Sequence, residues 1–129
     1  MAVSVLTSVK NDPVAGTFTA VLTAASSEGA SSVFCGFTPR VIKMTQIGGS
    51  PDATAQSGYH ESMTAAYAWL IGNTGAFTIP TSNGYTLLTG NEASPATAMT
   101  GSPGSSGPGF TVGTGVIANS LVYLLEAYR

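Results

Sequence analysis

Turn-forming residues break this chain roughly every ten residues, and the pieces between the breaks are too short for long helices. Lys10-Asn-Asp-Pro13, Gly48-Gly-Ser-Pro-Asp52, Asn73-Thr-Gly75 and Pro80-Thr-Ser-Asn-Gly84 combine side chains that bond their own backbone with prolines that fix φ. Between the breaks, apolar residues recur at every second position, the period of a strand. That spacing predicts strands over 2–9, 17–23, 33–37, 40–47, 76–79, 85–89 and 121–128, with shorter pieces near 91–98 and 110–112. Residues 59–70 fit two periods. Met63, Tyr67 and Leu70 would share a helical stripe, whereas Met63, Ala65, Tyr67 and Trp69 would share a strand face. A strand is expected, because its neighbours all have period two. Asn83-Gly84 is the strongest short hairpin signal and predicts a hairpin between 76–79 and 85–89.

Eight or nine short strands predict an all-β fold, an antiparallel β-sandwich of jelly-roll-like form, with a small barrel as the alternative. At 129 residues the chain makes one domain, 1–129, expected to leave about 6,300 Å² accessible. Residues 1–13 read as either the first strand or an arm. Residues 100–109, rich in Gly, Pro and Ser, read as a mobile loop. In the last strand, Leu121, Tyr123, Leu125 and Ala127 fall on one side and Val122, Leu124, Glu126 and Tyr128 on the other. Both sides are largely apolar, which suits a strand buried on two faces or laid against another subunit.

Charge narrows the function classes. Charged residues are 8% of the chain, against about 25% in ordinary soluble domains. Mean hydropathy is positive at +0.27, yet the longest apolar run, 65–71, falls far short of the ~20 residues of a membrane helix. So few charges predict a surface of Ser, Thr, Gly and Asn, much of it covered by other protein. A net charge of −2 without a basic patch argues against nucleic acid as a partner. The single cysteine, Cys35, rules out an internal disulfide and fits synthesis in a reducing cytoplasm. The N-terminus has neither the basic start nor the apolar stretch of a signal peptide.

Catalysis needs several groups brought together, and this inventory is thin. His60 is the only histidine, and adjacent Glu61 would point to the opposite face of a strand. Cys35, between Phe34 and Phe37, reads as a small buried hydrophobe. Gly48-Gly49 and Gly113-Thr-Gly115 lack the Lys-Ser/Thr ending of a phosphate loop. Tyr59, Tyr67 and Trp69 read as packing residues before sugar-stacking ones. No catalytic, cofactor or metal residues are assigned, and an enzyme is not expected. Arg40 and Arg129 are expected to pair with Glu61 or Glu126, within or between subunits.

Two stretches, Phe37-Thr-Pro-Arg-Val-Ile-Lys43 and Gly109-Phe-Thr-Val-Gly-Thr-Gly-Val116, together with the terminal Tyr128-Arg129, resemble small virion proteins of tailed bacteriophages. The nearest group is the capsid decoration, or cement, proteins, and the resemblance covers about residues 33–129. It implies a jelly-roll-like sandwich on the capsid exterior, assembled as a homodimer or homotrimer. Such a protein clamps adjoining copies of the major capsid protein against the pressure of the packaged DNA. Apolar strands 41–47 and 121–128 are then expected to make oligomer contacts, and the small-residue loops capsid contacts. The expected interface residues are Arg40, Val41, Lys43, Ile47, Tyr67, Trp69, Leu121, Tyr123, Leu125, Tyr128 and Arg129. A tail- or fibre-associated binding module and a carbohydrate-binding module are the alternatives.

Overall fold

The computed structural model describes residues 3–26 and 29–129. Among them are ten strands: β1 (Val5–Asp12), β2 (Thr17–Thr23), β3 (Ser31–Val33), β4 (Val41–Gly48), β5 (Gln56–His60), β6 (Trp69–Ile71), β7 (Phe77–Thr78), β8 (Tyr85–Thr89), β9 (Pro108–Val112) and β10 (Val122–Tyr128). They form two antiparallel sheets. The larger has seven strands in the order β1-β2-β10-β4-β5-β6-β7, and the smaller is β3-β9-β8. This is the predicted β-sandwich, with the sheets open rather than closed into a barrel. The accessible surface is 6017 Å², close to the size-based expectation.

Alternation decides which side chains enter the core. Phe18, Ala20 and Leu22 of β2, Ile42 and Met44 of β4, and Tyr123, Leu125 and Ala127 of β10 all point inward and are buried. The small sheet supplies Val33, Tyr85, Phe110 and Val112 from the other side. Phe18 of β2 meets Phe110 of β9 edge-on, with centroids 6.2 Å apart, joining the two layers. Tyr85 of β8 reaches Ser57 of β5 with a hydroxyl–hydroxyl bond of 2.7 Å, so neither buried polar group is left bare.

Three expectations change, and an alternative left open at the N-terminus is decided. Residues 59–70 are not one strand: β5 ends at His60, a turn follows, and β6 begins at Trp69. That turn is built without a glycine at its left-handed position, which Ala66 occupies at φ 69°. Asn83-Gly84 does not close a hairpin, because β7 and β8 lie in different sheets. Asn83, at φ 58°, instead turns the chain across the sandwich, and its carbonyl accepts from Gly115 N–H at 2.8 Å. The 100–109 stretch is pinned, with Leu6 N–H donating to the Thr100 carbonyl at 2.7 Å and Phe34 N–H to Ser102 Oγ at 3.0 Å. Finally, β1 pairs with β2 from Val5 to Asp12, so this part of the N-terminus is an edge strand rather than an arm. Ala2, the start of the predicted first strand, lies outside the described residues, as does Met1.

Candidate interaction surface

The small sheet covers one face of the large one, leaving the opposite face outward. Strand register arranges that face in rows running from edge to edge. One row passes through Thr7, Val21, Leu124, Thr45, Gln56, Ile71 and Phe77, each opposite the next across a strand pair. The adjoining row runs Lys10, Thr19, Glu126, Lys43, Gly58 and Trp69. A third runs Asp12, Thr17, Tyr128, Val41 and His60. The result is a pleated surface of threonines and aliphatic side chains, with the charges of four residues spread over two rows.

Trp69, on β6 beside the β7 edge, shapes the end of the second row. Its indole lies flat over Gly58, filling the space of the missing side chain. Any larger residue at 58 would lift the ring off the sheet. At the far edge, Phe77 and Ile79 are 60% and 52% exposed, and Val41 in the centre is 40% exposed.

The residues expected to form an interface divide into two groups. Val41, Lys43, Trp69 and Tyr128 lie on the outward face, and Ile47 is exposed at 56% where the β4–β10 register shifts. Tyr123 and Leu125 are core residues and cannot contact a neighbour without unfolding. Both sides of the last strand look alike in composition, but pairing with β2 and β4 turns one of them into the sandwich. Leu121 packs partly against that core and also over Gly49. Tyr67 is half-buried in the turn before β6, where its carbonyl accepts from Tyr85 N–H at 3.1 Å.

Arg40 bonds Glu61 through Nε at 2.8 Å, an exposed ion pair of the expected partners. Arg129 does not reach Glu126. Its guanidinium donates to the Val14 carbonyl at 2.6 Å and lies 5.8 Å from the centre of the Phe37 ring, tying the C-terminus to the β1–β2 turn. Glu126 accepts instead from the Tyr128 hydroxyl at 2.5 Å, and this bond to a carboxylate holds the phenol proton above its ordinary range.

His60 Nδ1 lies 2.8 Å from Ser62 Oγ at the exposed end of β5, a local contact two residues apart. Gly48 and Gly49 line an open hollow of about 260 Å³ with Gln46, Ile47, Pro51 and Ala55. Among the described residues there is no helix, so these glycines do not front the helix N-terminus that a phosphate loop uses.

No protein-family model, curated protein or solved structure matches this chain. The outward sheet face is therefore the feature that carries a functional reading. Sequence reasoning overlooked its edge residues Phe77 and Ile79. Their signal was the alternation of 76–79 inside a stretch, 62–91, that holds no charged residue.

Proposed function

We propose that this protein is a structural component of a phage virion that binds the outside of the capsid and stabilises contacts between major capsid subunits. The observation that carries the proposal is the broad outward face of the seven-stranded sheet, where the apolar pairs Val21-Leu124 and Ile71-Phe77 sit among the hydroxyl and amide side chains of Thr7, Thr45 and Gln56. A surface with few charges loses little hydration when another protein covers it. Val41, Lys43, Trp69 and Tyr128, from the interface set expected from the sequence, lie on this same face. The likeness of residues 33–129 to decoration proteins gives the covering partner as the major capsid protein. In this reading the chain is made in the host cytoplasm, self-associates, and acts without catalysis, cofactor, nucleic acid or membrane. On a lattice, one docked copy raises the effective concentration of the others, so weak single contacts add up.

The test is to locate the chain in disrupted virions with an antibody, scoring separated heads and tails. Labelled heads with bare tails are expected, and Leu124→Lys should lower head occupancy while leaving the thermal midpoint of the free protein nearly unchanged. Label confined to tails would replace this reading with a tail-associated binding module.

A further inference from the structure

A β-sandwich with open sheets has edges, and each edge exposes backbone groups that can template another strand. Three of the edges here are blunted. The Thr100 carbonyl accepts from Leu6 on β1, which also bulges between Thr7 and Lys10, with Ser8 at φ 51°. Residues 97–99 cover β3, with Ser32 N–H donating to Thr97 and Met99 N–H to Ser32, both at 2.8 Å. Residues 66 and 67 bond both backbone groups of Tyr85 at the start of β8.

The fourth edge, β7, carries no such cover among the described residues. Gly72 N–H bonds the Ala76 carbonyl at 3.0 Å and Ala68 N–H the Pro80 carbonyl at 3.2 Å, so even-numbered residues of this segment face β6. By the alternation of an antiparallel ladder, the N–H and C=O of Phe77 and Ile79 face away from the sheet. Pro80, which has no N–H, falls on the β6-facing set and does not spoil the free edge. No charged residue occurs between Glu61 and Glu92, so β7 lacks the lysines and glutamates that keep other edges apart.

We propose that β7 pairs with β7 of a second copy of this chain, antiparallel about a two-fold axis at Thr78. This register sets Phe77 opposite Ile79 of the partner and Ile79 opposite the partner's Phe77. Each pair exchanges both of its backbone hydrogen bonds. An aromatic facing a β-branched residue is a favourable cross-strand pair, and the arrangement is self-complementary as a two-fold contact must be. The outward row through Leu124, Ile71 and Phe77 then continues onto the second copy, joining two large sheets into one. Only two residues per copy exchange backbone hydrogen bonds, so association of the free chain is weak, roughly micromolar or weaker. The contact supplies the self-association that the capsid reading needs, but its test uses the purified chain alone, so either can fail without the other.

Sedimentation equilibrium up to ~1 mM chain should show a monomer–dimer equilibrium. Amide exchange at Phe77 and Ile79 should slow as concentration rises, while Thr78, already bonded toward β6, should not change. Phe77→Lys with Ile79→Lys sets like charges opposite each other and should weaken association about tenfold or more. Both side chains are largely exposed, so the fold survives the change. Thr78→Cys sits on the axis in a non-hydrogen-bonded pair, within disulfide range, and should give a covalent dimer on mild oxidation. A chain that stays monomeric with no crosslink overturns the proposal. So does a dimer in which Phe77 and Ile79 exchange as fast as at high dilution.

Discussion

The indole of Trp69 rests on the bare backbone of Gly58, its cross-strand neighbour in the β5–β6 pair. A β-carbon on residue 58 would meet the six-membered ring and the indole nitrogen. Trp69 is only half-buried, so the ring can swing outward rather than force the strands apart. Gly58→Ala should therefore cost about 1 kcal/mol or less and shift the emission of the single tryptophan to the red. Unchanged emission would mean that the ring does not lie on the glycine.

A second expectation comes from the hydroxyl pair between the sheets. Tyr85 is completely buried, and its phenol is pushed well above the ordinary value of 10.0, chiefly because burial disfavours the phenolate. The unfolded chain can ionise Tyr85 near that ordinary value, and the folded chain cannot. Folded protein therefore holds more protons above pH 10, and its stability should fall as pH rises from there, while being fully present below it. Tyr85→Phe should flatten part of this alkaline loss in urea titrations. At neutral pH it should cost about 1–3 kcal/mol, because Ser57 Oγ loses its buried partner.

Cys35 offers a probe of opening. It is 1% exposed and its thiol bonds the Phe37 carbonyl at 3.2 Å, with burial raising its pKa. A thiolate is the reactive form, so the side chain is both hidden and held protonated. Labelling by a disulfide reagent at pH 8 should run at the global unfolding rate and accelerate with urea. Rapid labelling of the native protein would show that the 33–37 segment opens locally.

Much of this architecture was legible because β2, the first half of β4 and β10 have clean alternation between clear turn signals. What sequence could not show has specific causes. The turn between β5 and β6 uses Ala66 in a left-handed conformation, so the usual Gly or Asn marker is missing. Asn83-Gly84 does reverse local direction, but local chemistry cannot say whether the next strand joins the same sheet. Tyr123 and Tyr128 belong to one apolar strand, yet only register with β2 and β4 sends the first inward and the second out. The candidate surface was half visible for the same reason. Its residue types are readable, while the free edge at β7 exists only once the other strands have taken their places.

Glycine substitutions can separate backbone crowding from side-chain crowding. Gly109 lies in β9, the middle strand of the small sheet, opposite Leu88 of β8. A β-carbon there would run into the Val33 carbonyl oxygen and come within 3.0 Å of the Phe34 α-carbon. Both obstacles are main chain, and Val33 is tied into the β3–β9 pair opposite Phe110, so neither can swing aside. Gly109→Ala should cost about 3 kcal/mol or more, near the top of the range for single substitutions, because it pries the two strands apart. Gly75, at φ +84° with nothing near its would-be β-carbon, isolates the conformational term, and Gly75→Ala should cost about 1–2 kcal/mol. Urea midpoints should therefore place Gly109→Ala far below Gly75→Ala and Gly58→Ala. If Gly58→Ala proved as damaging as Gly109→Ala, the Trp69 ring would have to be as firmly fixed as main chain, and the outward face would be far more rigid than its exposure implies.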